Sequence, residues 1–447
     1  MPIYTLPILC IILLIAEILL ARLEIISPSV LFTASFLFCS ICAWYMSDDW
    51  TDLEYVQVEM GYLIIISILI FFVIELLFKK VTKAGGERNK CKVDVETLSI
   101  SRGVLLFTIF LGFICIIWNA YYIAKYISEG NWIAMMAMYR DTVNLYVTDF
   151  DVSKKILNQF MKLMTGLSYV ALFVYVSSKN ILHAKTKMLY YIVFVVYMVF
   201  RALLSGGRQG ILFFLLAWFS MYYICNIIDG QSRLVRTKLR KFYAYFMLYI
   251  MTIFISFYSL GRFLGRGESE NIFYAPLGYL TSGLFGLADE IKKHYVSQFW
   301  GQYSFPGLND LLKLCSIIPD GVEEQSFLPF FLHGNTVTML GRWYWDFGIF
   351  GVYTMVALSA CIFCYIYYCK IKYNKMGHLW NIFIIIYCYM AHILYFAGYD
   401  DFWINVYSVT FILNVFMIVF VYKFAVMKKL TVVFMSTEKK YENKTDF

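Results

Sequence analysis

The chain carries little charge for its length. Only 15% of its 447 residues are Asp, Glu, Lys or Arg, whereas 61% are hydrophobic and 20% are aromatic. A soluble globular protein of this size would carry far more charge, so the composition excludes that class. Apolar runs of about 20 residues recur along the chain, and each can cross a hydrocarbon core of roughly 30 Å. The sequence therefore predicts an all-α polytopic membrane protein, a single integral membrane domain over residues 1–447 with about eleven transmembrane helices.

Several patterns that carry chemistry in other proteins are missing. The eleven cysteines lie mostly inside or beside apolar runs, and they form neither a disulfide framework nor a zinc spacing. There is no P-loop, Rossmann glycine pattern, nucleophile elbow or His-Glu-x-x-His motif. The first apolar run follows no basic region and precedes no small-residue cleavage site, so we interpret it as a retained span. We expect no cofactor and no bound metal.

Basic residues are concentrated in every second connection between apolar runs. They follow the third run (Lys79 to Lys92), the fifth (Lys179 to Lys187), the seventh (Arg233 to Lys241) and the ninth (Lys370 to Lys375), and they recur after the last run. This alternation is the positive-inside pattern, which accounts for the net charge of +8 without a nucleic-acid partner. It predicts an N-terminus outside and a C-terminus in the cytoplasm.

Two predicted outer connections are long, at residues 120–155 and 265–345. They exceed the usual loop range and are too aromatic for disorder, so we expect any chemistry on this face. Within the second connection, Ile272 to His294 has the apolar spacing of an amphipathic helix lying on the membrane surface. Asp289, Glu290 and His294 are predicted on the wet side of that helix.

Arginines in outer connections go against the positive-inside bias. They include Arg201, Arg208, Arg262, Arg266 and Arg342. Any one of them alone could be an anchor whose side chain reaches the headgroups. Together, gathered around a few span ends, they favour phosphate binding, because the guanidinium fork pairs bidentately with phosphate oxygens and stays charged.

A polar and aromatic segment leads into the ninth run. It contains His333, Asn335, Arg342, Trp343, Tyr344, Trp345 and Asp346. Aromatic faces beside polar groups are suited to sugar rings, although interfacial aromatic residues are an alternative explanation for part of this set. Arg342 and Asp346 are four residues apart, so a mutual ion pair is a second interpretation of these two residues.

The motifs resemble those of a known family. A Ser205-Gly206-Gly207-Arg208 turn after a span, a later pair of Gly-Arg steps, and Asn335-x-x-Thr338 followed by Tyr344-x-Asp346-Phe347-Gly348-x-x-Gly351 are similar to the bacterial oligosaccharide repeat unit polymerases, the Wzy-type O-antigen and capsule polymerases. The resemblance implies a fold like the type C glycosyltransferases in a bacterial inner membrane. The Arg-x10-Gly pattern of one subgroup does not occur here, so a two-loop scheme built on it is not carried over.

The resemblance also implies a reaction. The growing glycan leaves one undecaprenyl pyrophosphate carrier and joins a sugar hydroxyl of the next lipid-linked repeat unit, with no cofactor. Arg201, Arg208, Arg262 and Arg266 would hold the pyrophosphate groups, while Asn335, Trp343 and Tyr344 would bind substrate. Arg342 would lie at the reacting centre with Asp346 or His333 as the base. The implied partners are membrane lipids, a chain-length regulator and a flippase.

Three other functions compete with this interpretation. An O-antigen ligase would use the same donor but a different acceptor, and the Asp346-Phe347-Gly348 segment favours the polymerase modestly. A flippase or other transporter would show internal repeats with matching broken spans, and the sequence has no such symmetry. A purely structural scaffold would leave the outer arginines unexplained.

Overall fold

The structure of the protein is a computed structural model that describes residues 2–47, 58–86, 98–126, 135, 138, 152–178, 182–205, 209–225, 274–293, 297, 301–315, 336–372 and 377–427. Within these residues the chain is helical and contains no β-strand. The helices are α1 (Thr5–Ile15), α2 (Pro28–Tyr45), α3 (Val58–Gly86), α4 (Arg102–Tyr126), α5 (Val152–Ser178), α6 (Ala184–Ser205), α7 (Gln209–Tyr223), α8 (Tyr274–Lys293), α9 (Pro306–Leu314), α10 (Gly341–Cys364), α11 (Gly377–Met390), α12 (His392–Tyr395) and α13 (Val409–Val421).

Several of these helices are suited to a bilayer. Six are long and apolar enough to cross one: Pro28–Tyr45, Val58–Lys83, Arg102–Lys125, Ser153–Ser178, Gly341–Lys372 and Val409–Met427. Thr5–Leu20, Gln209–Tyr223 and Leu379–Tyr395 are shorter apolar helices. Large apolar side chains on the outside, such as Leu20 and Phe350 at 83% and 85% exposure, fit a lipid environment.

For the residues that the structure describes, the helices and their apolar composition agree with the predicted all-helical membrane protein. The predicted starts of several spans also lie close to observed helix starts, as at Thr5 and Val58. The span predicted from Lys241 lies outside the described residues, and Ala184–Ser205 is not among the nine apolar helices above. The count of eleven therefore stays a prediction.

The chain divides into two compact units. The first comprises Met1–Cys91, Ser269–Lys375 and Met390–Ile412, and the second comprises Lys92–Glu268, Met376–Tyr389 and Leu413–Phe447. In the first unit α1 packs on α2, α3 packs on α10, and α8 packs on α2. In the second unit α4 packs on α6, and α5 contacts both of them. The first unit thus brings together helices that are distant in sequence, whereas these contacts of the second unit join consecutive helices.

Apolar and aromatic side chains fill the interior of each unit. In the first unit, Phe32 stacks on Phe71 with ring centroids 4.8 Å apart, and both rings are fully buried. In the second unit, the Tyr169 ring lies edge-on to Phe214 and Tyr389, at centroid distances of 5.4 and 5.1 Å. Such edge-to-face contacts suit the charge distribution of aromatic rings.

The basic ends of helices meet in the first unit. The Lys79 ammonium donates to the carbonyl oxygens of Ala21 and Arg22 at 2.7 and 3.0 Å. Lys372 pairs with Glu24 at 2.9 Å. These residues all belong to connections, or the ends of runs, that the sequence predicts on the cytoplasmic side. Their contacts place them together at one end of the unit.

The helix predicted to lie on the membrane surface corresponds to α8, which packs on other helices of the first unit. Leu284 and Leu287 are fully buried in α8, as expected for its apolar face. Glu290, however, is also fully buried, so its predicted placement on a wet face was wrong. The physical reason is that α8 contacts α2, α3 and α10, which cover the side predicted to meet water. His294 lies outside the described residues.

A backbone break separates two parts of α10. Gly348 adopts φ 64° and ψ −167°, a conformation that favours glycine because side chains with a Cβ atom clash there. Such a break re-aims the helix axis. The segment that carries Arg342, Trp343 and Asp346 is therefore a short helical piece of its own, placed ahead of the apolar span.

Candidate functional site

Three segments of the first unit converge at one place. They are α8, the stretch at 336–346, and the turn at 397–403 that follows α12. The Thr338 amide donates to the Gly283 carbonyl at 3.2 Å, and the Met339 amide donates to the Ala397 carbonyl at 2.8 Å. All three segments belong to connections that the sequence predicts on the outer side. We call this junction the outer cluster.

Glycine at position 283 allows the close approach of α8 to the turn. A Cβ atom there would lie 2.2 Å from the Tyr399 carbonyl oxygen, closer than atoms can pack. On the other side of the turn, the Gly398 amide donates to the Ser35 hydroxyl of α2 at 2.9 Å. The turn is thus held between two helices, and this fixes the position of Asp400 and Asp401.

Arg342 occupies the centre of the outer cluster. Its side chain is buried, with 6% of the residue exposed, and its Nε atom lies 3.8 Å from Asp401 Oδ2. Arg342 therefore forms its ion pair with Asp401, which is 59 residues away in the sequence. The alternative prediction, a pair with Asp346 in the same helix, is wrong, because the Asp346 carboxylate accepts backbone amides instead. Local spacing could not reveal this partner.

Asp346 holds a different piece of the chain. Its carboxylate accepts the backbone N–H groups of Tyr303 and Ser304 at 3.0 and 2.6 Å. The Ser304 hydroxyl in turn donates to the Arg342 carbonyl at 3.3 Å. Asp346 thereby fastens the segment 301–305 to α10. A carboxylate has about four lone-pair positions, so Asp346 can accept a proton as a base without losing these donors.

Glu290 is the least satisfied polar group of the outer cluster. It is fully buried, and neither of its carboxyl oxygens has a hydrogen-bond partner. A Cβ atom on Gly341 would lie 2.3 Å from Glu290 Oε2, so the start of α10 runs directly beside the carboxyl group. The charges of Arg342, Asp289 and Asp401 all act on it. A buried charge without partners is costly, so Glu290 is expected to carry a proton.

Burial in the outer cluster shifts the pKa values of its carboxyl groups. Burial raises the pKa of Glu290 well above its ordinary value, and the nearby Arg342 offsets only part of that rise. Burial also raises the pKa of Asp401 to about 7 and that of Asp400 to about 6, again against Arg342. Groups that gain and lose protons near neutral pH are suited to acid–base chemistry.

Aromatic rings surround the outer cluster. Trp343 is fully buried and lies edge-on to Trp403, with ring centroids 6.4 Å apart. Its ring is part of the protein interior here. Tyr344, by contrast, is half-buried, and its hydroxyl donates to Glu59 at the start of α3 at 3.0 Å. Of the two aromatic residues predicted to bind substrate, Tyr344 is the more accessible.

Arg201 belongs to the second unit and therefore forms a separate feature. It lies near the end of α6, and a Cβ atom on Gly210 would be 2.6 Å from its Nε atom, so the guanidinium crosses the start of α7. Its charge acts on the buried phenols of Tyr169, Tyr197 and Tyr389. This places a cation beside hydroxyl groups at a predicted outer span end.

The remaining predicted site residues lie outside the described residues. They are His333, Asn335, Arg208, Arg262 and Arg266. Arg342, Trp343, Tyr344 and Asp346 are brought together within one short helical segment.

Sequence reasoning missed two members of the outer cluster. Asp401 stands out in the sequence only as part of an outer turn, and the helical pattern predicts Glu290 as a solvated side chain. A signal for Glu290 does exist, because Gly283 and Gly286 share its side of α8 at helical spacing. Small residues on one side of a helix indicate close packing there, which would bury a carboxyl group among them.

Comparison with known proteins gives no relative. No protein-family model, curated protein or solved structure matches this chain. Among the described residues, no group of three or more His, Cys, Asp and Glu side chains is placed to hold a metal ion. The chemistry of the site is therefore argued from its own residues.

Proposed function

We propose that this membrane protein polymerises undecaprenyl-pyrophosphate-linked oligosaccharide repeat units at the outer face of a bacterial inner membrane. The observation that carries the proposal is the buried Arg342–Asp401 pair with Glu290, at the predicted outer end of apolar helices. Arg342 lies in the segment that resembles the repeat unit polymerases, whereas Glu290 comes from α8 and Asp401 from the turn at 397–403. The proposal includes about eleven spans, a fold of the type C glycosyltransferase class, and an N-terminus outside.

The proposed reaction needs stabilisation of a departing anion. When the sugar hydroxyl attacks the anomeric carbon, the bond to the carrier pyrophosphate breaks and negative charge grows on that pyrophosphate. Preorganised guanidinium groups in a water-poor site stabilise such charge strongly. Arg342 is the described group in this role, and Arg201, Arg208, Arg262 and Arg266 are the proposed pyrophosphate ligands.

The reaction also needs a group that accepts the proton of the attacking hydroxyl. We infer that this role falls to the carboxyl groups around Arg342 as well as to Asp346 or His333. Asp401 has a pKa raised to about 7, so at neutral pH a large fraction can accept a proton. The Asp346 carboxylate accepts hydrogen bonds from the Tyr303 and Ser304 amides. A substitution of Asp346 would therefore also loosen the segment 301–305.

The test is the surface glycan profile of a deletion strain, viewed as a ladder on a gel. Wild type should restore the ladder. Arg342→Lys keeps the positive charge but loses the bidentate hydrogen bonding of the guanidinium, so it should leave mostly single capped units. Arg208→Ala should have the same effect. The matched control is Arg102→Lys, the same exchange at an exposed position at the start of α4, which should restore the ladder.

Membrane levels of each variant must be equal for this comparison. Loss of even the single unit in the deletion strain would indicate a ligase or flippase. An unchanged ladder in the deletion strain would refute any role in glycan assembly. A flippase and a chain-length regulator of the same pathway are the proposed protein partners, and no nucleic acid is proposed.

A further inference from the structure

Two glutamates lie inside apolar helices of the first unit, away from the outer cluster. Glu17 is in the helical turn Ala16–Leu20 that continues α1, and Glu75 is in α3. Both are fully buried. A carboxyl group among membrane helices is costly when charged, and such residues commonly mark sites that bind protons or ions.

One serine joins the two carboxyl groups. The Ser29 amide, in the first turn of α2, donates to Glu75 Oε2 at 2.6 Å, and the Ser29 hydroxyl donates to Glu17 Oε1 at 2.9 Å. Thr33 donates its hydroxyl to the same Glu17 oxygen at 2.8 Å, and the Tyr368 hydroxyl donates to Glu75 Oε1 at 2.5 Å. Glu17 and Glu75 are therefore held side by side.

The hydrogen bonds of the two groups are unequal. Both oxygens of Glu75 accept a hydrogen bond, and this suits an ionised carboxylate, which only accepts. In Glu17 only Oε1 accepts, while the buried Oε2 has no partner. The buried Ser27 hydroxyl faces Glu75 and makes no well-formed hydrogen bond. Oε2 of Glu17 is thus the position at which the pair can bind a proton.

The two nearby lysines, Lys79 and Lys372, are held by other oxygen atoms and do not bind the free oxygen of Glu17. Lys79 attracts Glu75 electrostatically, but its ammonium donates to two backbone carbonyls, and Lys372 pairs with Glu24. Among the described residues, the other titratable groups that act on the pair include Cys10 toward Glu17, and Cys364 and Tyr368 toward Glu75. Thiols and phenols are neutral at pH 7 and cannot balance two carboxylates.

We propose that Glu17 and Glu75 form one proton-binding site, in which a single proton resides on Glu17 and Glu75 stays ionised. The proton neutralises one of two adjacent buried charges, and Oε2 of Glu17, which accepts no hydrogen bond, is the oxygen open to it. Its loss would leave two like charges joined through Ser29, so proton binding is linked to the packing of α1 and α3 on α2. This site does not depend on the proposed glycan chemistry.

The test is infrared spectroscopy of the purified full-length protein in lipid vesicles. A protonated carboxylic acid has its own C=O stretching band, so the difference between wild type and Glu17→Gln at pH 7 should show one such band. Glu24→Gln is the matched control, because Glu24 pairs with Lys372 and should contribute no such band. Absence of the Glu17 band at pH 7 would overturn the proposal.

Two further variants should shift the titration of this band in opposite directions. Glu75→Gln removes a neighbouring negative charge, so half of the band should be lost at a pH lower by about one unit or more. Thr33→Val removes a hydroxyl that favours the charged form, so half-loss should occur at a pH higher by about one unit. A purely structural role would not give opposite signs.

These titrations also cover the case in which Glu17→Gln fails to fold, since Thr33→Val and Glu75→Gln retain the Glu17 band. Helix content by circular dichroism checks each variant. Shifts in the same direction would refute the shared site. Disappearance of the wild-type band on adding sodium ions at constant pH would also refute it, because the occupant would then be a metal cation.

Discussion

At the scale of single residues, several carboxyl groups of the outer cluster surround one guanidinium, that of Arg342. Arg342 has its ion pair with Asp401, while Glu290 is enclosed without a hydrogen-bond partner. A buried ion pair gives little net stability, because the desolvation of both charges offsets their attraction. The Arg342–Asp401 pair is therefore not expected to be a main source of stability.

The raised pKa of Asp401 predicts that the folded protein becomes less stable as the pH rises. Its pKa is raised to about 7 in the folded protein, against about 3.9 in an unfolded chain. The folded state then binds more protons, so stability is greatest at low pH, falls as the pH rises from about 4 to about 7, and levels off above that. This is opposite to a carboxylate whose pKa is lowered by an ion pair.

The measurement is thermal unfolding in detergent between pH 5 and pH 8. We expect wild type to lose roughly 2 kcal/mol between pH 5 and pH 7 through this group. Asp401→Asn mimics the protonated side chain and should flatten that part of the curve. An Asp401→Asn curve that falls as steeply as wild type over this interval would contradict the assignment.

At the scale of helices, close contacts between backbones position the outer cluster. Gly283 lets α8 meet the Tyr399 carbonyl, whereas a Cβ atom on Gly103, near the start of α4, would have no neighbouring atom within 4 Å. The two glycines thus form a matched pair, one crowded and one open. The same substitution should have opposite consequences at these positions.

Gly283→Ala should destabilise the protein by about 1–3 kcal/mol, because the backbone of the turn must move. Gly103→Ala should be neutral or stabilising by up to about 1 kcal/mol, because alanine favours the helix. Unfolding midpoints in the same detergent provide the comparison. Equal effects of both substitutions would show that α8 does not approach the turn as closely as described.

Helices were more predictable from sequence than their contacts. Apolar runs are local, so the starts of α1 and α3 follow directly from them, at Thr5 and Val58. The pairing of Arg342 with Asp401 joins residues 59 positions apart, and the link between Glu17 and Glu75 passes through Ser29. Such contacts depend on how helices pack, which no local pattern encodes. Glu290 was misplaced for the same reason.

At the scale of the whole molecule, the ends of helices in the first unit are sorted by charge. Lys79, Lys372, Arg22 and Glu24 meet at one end, and the sequence predicts that this end faces the cytoplasm. The outer cluster comes from connections predicted on the opposite side. A polymerase of carrier-linked glycans needs that cluster outside, so the absolute orientation is a direct condition on the proposed function.

Two natural cysteines allow a test of orientation. Cys315 is exposed just after α9, within the predicted outer connection, and Cys91 belongs to the predicted cytoplasmic connection, outside the described residues. A maleimide that cannot cross membranes should label wild type and Cys91→Ser in intact spheroplasts, but not Cys315→Ser. After permeabilisation, Cys315→Ser should become labelled at other cysteines, among them Cys91. Labelling of Cys315 only after permeabilisation would place the outer cluster in the cytoplasm, where it could not act on exported repeat units.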